Sequence, residues 1–176
     1  MRRLLPVIVI AAALLLGGGG RDLLDRLRDE AGGTSGSSGK GRVARVVRVV
    51  DGDTIVVRLG GAEERIRYIG MDTPETVKPG TPVQCFGRQA SAENHRLVDG
   101  RRVRLVLDAE ARDRYGRMLA YVYREPDDLF VNAALVQRGY ATPMTIPPNV
   151  RFADRFVAWS RAARQAGRGL WSACER

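Results

Sequence analysis

The stretch "VVDGDTIVV", Val49–Val57, sets two acids around a glycine between runs of valine and isoleucine. β-Branched runs favour strands, and Asp-Gly favours the tight turn of a hairpin. The stretch therefore reads as a hairpin, and the question is whether Asp51 and Asp53 only make the turn or also hold something. Outward from it lie similar runs: "RVARVVRVV" before the turn, then "TIVVRL", "ERIRYIGM", "RVRLVL" and "MLAYVYR". Each is rich in Val, Ile, Leu or Tyr and bounded by Gly, Asp or Pro, as strands are. Period two is clearest in "RVRLVL", where Val103, Leu105 and Leu107 share one face.

Helical patterns interrupt these runs. "CFGRQASAENHRLVDG" stops at Gly100, and "VNAALVQRG" stops at Gly139. In "RFADRFVAWSRAARQAG", Phe152, Phe156, Trp159 and Ala163 fall on one helical stripe, which reads as core. The fold class is α+β and mostly antiparallel. Five short strands with helices inserted and appended fit a small closed barrel of the OB type, since short antiparallel strands must cover or close their edges.

The chain has 176 residues and a net charge of +9; of its 29 basic residues only Lys40 and Lys78 are lysine. Such a surplus suits polyanion partners, nucleic acid or an anionic membrane surface, although solvated surface arginine accounts for it equally well. Residues 1–20, "MRRLLPVIVIAAALLLGGGG", pair a basic start with an apolar run from Leu4 to Leu16. As a helix that run is about 20 Å long, short of the roughly 30 Å hydrocarbon core. It reads as an export signal or an uncleaved N-terminal anchor, with the rest of the chain outside the cytoplasm. Residues 21–41 read as a flexible Gly/Ser-rich linker and residues 42–174 as the folded domain. Residues 41–176 hold 23 Arg/Lys and 16 Asp/Glu, so the basic surplus belongs to the domain. Export makes a disulfide between Cys85 and Cys174 the expectation, against the alternative of two free thiols.

A second acidic group, "RYIGMDTPE", brackets Thr73-Pro74 with Asp72 and Glu75. Read alone it is a turn or a helix start. Two such turns on neighbouring strands bring Asp53, Asp72 and Glu75 to one end of a sheet. Carboxylates so gathered need a proton or a cation among them, and all-oxygen ligands, with the Thr73 carbonyl added, select a hard ion such as Ca²⁺ or Mg²⁺. His95 is the single histidine and reads as solvated surface, which leaves no basis for a histidine zinc site. Arg67 precedes Asp72 by five positions, an odd spacing that puts them on opposite faces of an ideal strand unless a bulge or bend intervenes. Arg117 follows a Tyr-Gly turn in "RDRYGRMLAYVY". Arginine forks match phosphate oxygens, so a cation, a carboxylate and two forks suit attack on a phosphodiester.

The motifs "VVDGDTIVV", "IRYIGMDTPE", "DRYGRMLAYVY", "VNAALVQRGYA" and "GLW" stand in the order and spacing of the thermonuclease, or staphylococcal-type nuclease, family. The resemblance runs from about Arg42 to Trp171. It implies an OB-type five-stranded antiparallel β-barrel with three helices, and Ca²⁺-dependent hydrolysis of single- and double-stranded DNA and of RNA that leaves 3′-phosphate ends. It implies one Ca²⁺ per domain, held by Asp53, Asp72 and the Thr73 carbonyl. Glu75 then resembles the residue that activates or orients water, Arg67 and Arg117 the phosphate clamps, and Tyr115 part of the nucleotide pocket. Asp51 reads as a turn or supporting residue. In relatives, tyrosines follow the helix resembling "VNAALVQRG"; here "ATPMTIPPNV" has none after Tyr140, so base stacking of roughly 1–3 kcal/mol per base is absent. The expected protein is a monomer with no protein partner, touching membrane only through its N-terminal segment. The alternative is a non-catalytic OB module that grips nucleic acid at the cell envelope, and a third reading is an envelope-tethered interaction protein that uses Ca²⁺ for stability alone.

Overall fold

A computed structural model of the chain describes residues 41–76, 80 and 82–174. The expected export signal or anchor at 1–20 and nearly all of the expected linker lie outside the described residues.

The hairpin opens the domain. Strand β1 (Arg42–Val49) pairs antiparallel with β2 (Thr54–Leu59), and β2 turns through Gly60–Gly61 into β3 (Ala62–Tyr68). In β1 the side chains of Ala44, Val46 and Val49 are buried, and the register slips between Val46 and Arg48. The extra residue bends the strand. One end of β1 thereby pairs with β2, and the other with β5 (Arg102–Val106). Strand β5 pairs with β6 (Met118–Arg124), and β6 returns alongside β3. The closing seam matches Ile66 with Met118, Arg67 with Leu119 and Tyr68 with Ala120. The five expected strands thus form a closed barrel. The pairing is mostly antiparallel, as expected, with one parallel pair at this seam, where β3 and β6 run side by side. Closure of an odd number of strands requires at least one such pair.

Inward residues alternate along the strands, as period two demands. Ile55, Val57, Ile66, Val103, Leu105 and Val122 are essentially inaccessible. Each contributes about 1.5–3 kcal/mol by burial.

The helices plug the barrel and place its loops. Helix α1 (Gly87–Val98) buries Ala90, Leu97 and Val98 and also Asn94. Asn94 accepts the Tyr68 hydroxyl at 3.0 Å and donates to the Asp51 carbonyl at 2.9 Å, so α1 anchors the acidic hairpin turn. Burial raises the Tyr68 pKa, which keeps the hydroxyl a donor. After a two-residue strand, β7 (Leu129–Phe130), comes α2 (Val131–Gln137). Its buried Asn132 accepts Val122 N–H at 2.9 Å and donates to the Ile69 and Ala120 carbonyls. These bonds satisfy backbone groups where the chain leaves the barrel.

A small second sheet pairs β4 (Gly70–Asp72) with β8 (Thr142–Met144). Helix α3 (Ala153–Gln165) lies against it, and a one-turn helix, α4 (Leu170–Ala173), follows. The stripe on α3 is core, as expected: Phe156 and Ala163 are fully buried, and Phe156 meets Trp159 edge-to-face at 5.4 Å. Gly70 sits at φ 83°, and a Cβ there would lie 2.3 Å from the Phe156 ring. Both facts require glycine.

Candidate active site

The acids of the opening hairpin divide the work. Asp51 makes the turn: its carboxylate accepts Asp53 N–H at 3.0 Å, while Val50 N–H donates to the Thr54 carbonyl. Burial raises the Asp51 pKa against the opposing pull of the nearby Arg67 charge. Asp53 points inward and is 4% exposed. Its Oδ2 accepts the Thr73 backbone N–H at 2.9 Å and the Thr73 hydroxyl at 2.8 Å. Its Oδ1 accepts the Thr54 hydroxyl and pairs with Arg67 Nη1.

Arg67 is the hub of the site. Register places it opposite Thr54, next to Asp53. Its other terminal nitrogen, Nη2, donates to Asp72 Oδ1 at 2.5 Å. One guanidinium therefore spans both acids, with its side chain 11% exposed. The odd spacing of Arg67 and Asp72 puts them on opposite faces of an ideal strand, and the exception, a bend at the strand end, is what the structure holds. Strand β3 ends at Tyr68, and the positive φ of Gly70 swings the chain out of the barrel into β4. The alternation restarts, and Asp72 comes round to Arg67. Its carboxylate stays half-exposed.

Glu75 and Arg117 complete the lining. Glu75 Oε1 accepts Thr76 N–H at 2.8 Å. Arg117 lies beyond a turn built on Asp113, whose Oδ1 accepts Tyr115 N–H and Arg117 N–H while Oδ2 accepts Arg117 Nε at 2.7 Å. Burial opposes charge on Asp113, but the hydrogen bonds and charge of Arg117 outweigh it and hold the carboxyl below its usual range. The pairing uses Nε and not the terminal fork that matches phosphate oxygens. Tyr115 is 68% exposed, with the Arg114 and Arg117 guanidinium groups 4.9 and 5.5 Å from its ring.

Asp53, Arg67, Asp72, Glu75, Tyr115 and Arg117 line one open cavity of about 600 Å³. Asp53 and Asp72 converge on one cation, the Arg67 guanidinium, and Glu75 Oε1 accepts the Thr76 N–H of its own loop. The expected gathering of three acids is thus a shared cavity: among the described residues no three Asp, Glu, His or Cys side chains form a metal-holding group. Arg117 lines the same cavity with Asp113 as its ion-pair partner.

Sequence reasoning missed Asp113 and Gln84, which donates and accepts around Glu75. An Asp four positions before Arg117, across a Tyr-Gly turn, was the available signal for the first. Where tyrosines are missing after Tyr140, Met144 and Ile146 line the cavity. Tyr140 itself turns inward against Phe86, with ring centroids 5.4 Å apart.

A closed five-stranded barrel with helices inserted and appended, its acids and arginines gathered at one open cleft, makes this an OB-type barrel protein. Residues 65–173 match the profile of the family described as Staphylococcal nuclease homologue. The chain belongs to the staphylococcal nuclease family. It is 41% identical over 128 residues to the thermonuclease of Staphylococcus hyicus, covering 73% of this chain and 75% of that one. It is 42% identical over 132 residues to the thermonuclease of Staphylococcus intermedius, covering 75% and 77%. It is 36% identical over 148 residues to the endonuclease YncB of Bacillus subtilis (strain 168), covering 82% and 69%.

Proposed function

We propose that this chain is an exported, Ca²⁺-dependent, sugar-nonspecific nuclease that hydrolyses phosphodiester bonds of DNA and RNA and leaves 3′-phosphate ends. The observation that carries the reading is the Asp53–Arg67–Asp72 ion triad on the floor of a cleft that Glu75 and Arg117 also line. A module that only grips nucleic acid has no use for one buried and one half-exposed carboxylate facing a polyanion.

The donor set fits a hard cation. Asp53 and Asp72 turn oxygens toward one positive centre, and hard cations take oxygen ligands and complete their shell with water. These carboxylates and the Thr73 carbonyl would hold Ca²⁺, which when bound supplies positive charge to a phosphoryl oxygen. Arg67 and the terminal fork of Arg117 hold the other phosphoryl oxygens, where charge grows as the bond to phosphorus forms. Glu75 activates or orients the attacking water. Asp113 takes Nε of Arg117 and so fixes the plane of that guanidinium. Tyr115 offers an exposed ring to a base or sugar.

The Cys85–Cys174 disulfide supports export, since such bonds persist in oxidising compartments. The basic domain supports a polyanionic substrate.

The deciding experiment incubates the full chain with single-stranded DNA in millimolar Ca²⁺ and in chelator, with end analysis of the fragments. Cleavage with Ca²⁺ alone, giving 3′-phosphate ends, is expected; equal cutting in chelator removes the metal from the mechanism. Arg117→Lys keeps the charge and loses the fork, and kcat is expected to fall about 100-fold to 1,000-fold, as when one oxyanion donor is lost. A rate within about threefold of the parent would take Arg117 out of the clamp.

A further inference from the structure

Glu75 is held at both of its main-chain groups by one residue. Its N–H donates to Gln84 Oε1 at 2.8 Å, and its carbonyl accepts Gln84 N–H at 2.9 Å. The Gln84 carbonyl in turn accepts Gly87 N–H, at the start of α1, at 3.0 Å. A Cβ on Gly87 would lie 2.8 Å from Thr76 Cγ2 and 3.0 Å from the carbonyl oxygens of Pro74 and Glu75. The first turn of α1 is therefore in direct contact with the Glu75 backbone. The residue after Gln84 is Cys85, bonded to Cys174 immediately beyond α4. Asp72, Thr73 and Pro74, which line the cleft, also line a smaller cavity together with Gln84, Cys85 and Cys174. The disulfide thus backs the segment that carries Asp72 and Glu75. Cys85 is exposed and Cys174 half-buried, so the disulfide lies at the surface of the domain.

We propose that Gln84 is the positioning residue for Glu75 and that the Cys85–Cys174 disulfide holds Gln84 in place, so that cleavage depends on the redox state of this disulfide. The proposal rests on the nuclease reading above. Gln84 touches neither substrate nor reacting atoms; it sets where the Glu75 backbone lies, and a misplacement of 1 Å costs a reaction about 100-fold. Reduction by an external dithiol runs in two exchanges. One thiolate attacks Cys85 Sγ, forms a mixed disulfide and releases the Cys174 thiolate. The second thiolate displaces Cys85, so the dithiol leaves oxidised while both cysteines gain electrons and protons as thiols. The freed Cys85 no longer ties Gln84 to the end of the domain, and the grip on Glu75 loosens.

The test measures kcat and KM of the full chain on single-stranded DNA with Ca²⁺. Parent, Gln84→Ala and Gln84→Glu are compared, each oxidised and after reduction with dithiothreitol, with circular dichroism to confirm folding at the assay temperature. Gln84→Ala is expected to lower kcat about tenfold to 100-fold with KM little changed. Gln84→Glu keeps the acceptor for Glu75 N–H and is expected to stay within about threefold of the parent. Reduction lowers the parent's kcat at least about fivefold, reversibly on reoxidation, and adds little in Gln84→Ala because both changes act through the same contact. A kcat for Gln84→Ala within about twofold of the parent, or a change in KM alone, overturns the positioning role. Equal rates for oxidised and reduced parent overturn the redox dependence, as does a loss that accompanies global unfolding. Amide hydrogen exchange at Glu75 separates the two readings. If the parent does not cut DNA but protects this amide, and Gln84→Ala or reduction releases it, the clamp stands and the nuclease reading fails.

Discussion

Arg67→Met is expected to remove about 3–5 kcal/mol of folding stability, the usual result of stranding one charge of a buried pair. Asp53 sits with its side chain 5% exposed, and the guanidinium is its only cationic partner among the described ion pairs. The hydrogen bonds from Thr54 and Thr73 stay, but they do not neutralise the carboxylate. Urea unfolding without Ca²⁺ reads this loss directly. The same variant is expected to lose about 100-fold to 1,000-fold in kcat if Arg67 faces the phosphate. Added Ca²⁺ separates the two roles. A cation held by Asp53 and Asp72 takes over the neutralising role of the guanidinium, so Ca²⁺ should stabilise Arg67→Met more than the parent while the lost rate stays lost. Equal stabilisation of the two proteins by Ca²⁺ would mean that guanidinium and metal do not share the same oxygens.

The second large effect lies at the disulfide. Cys85 and Cys174 are 89 positions apart. In the chain-entropy account, closing a loop of that size limits the unfolded state by about 4–5 kcal/mol. Replacing both cysteines by serine is expected to lower the midpoint of thermal unfolding by roughly 10–20 °C for a domain of this size. A total domain stability of about 5–15 kcal/mol leaves the variant folded at room temperature. A midpoint within about 3 °C of the parent would show that the unfolded chain gains no freedom from opening the loop.

The strands and the helical stripe on α3 were legible because each rests on a strong local signal. Period two and the stripe of Phe156 and Ala163 each point one way, while the cysteines favoured pairing over free thiols only through the export reading. The parallel seam between β3 and β6 was not legible, because closure is a property of the whole sheet. Arg67 and Asp72 show the same limit at the site. Counted along an ideal strand they diverge, and the bend at Gly70, a residue that must be glycine both for its positive φ and for the Phe156 ring about 90 residues away, brings them together. The bulge in β1 is a third case: "RVVRVV" carries no clear period two, and only the pairing with β2 places the slip that leaves Val47 and Arg48 both exposed. Gln84 escaped notice because a glutamine in a loop carries no signal of its own, and its hydrogen bonds to Glu75 depend on where that loop returns. Asp113 was missed although it stands beside the Tyr-Gly turn, because its hold on Arg117 Nε needs the geometry.

The pairing of β4 with β8 joins two properties that a nuclease would be free to vary separately if they sat on separate supports. Asp72 is in register with Thr142, and Gly70 with Met144, a side chain that walls the cleft. A replacement that reshapes this wall to suit a different base pulls on the same ladder that aims the acid. Lineages that retune which nucleotide they prefer must therefore also re-aim Asp72, and an engineer grafting tyrosines into residues 142–146 inherits that linkage along with the new rings.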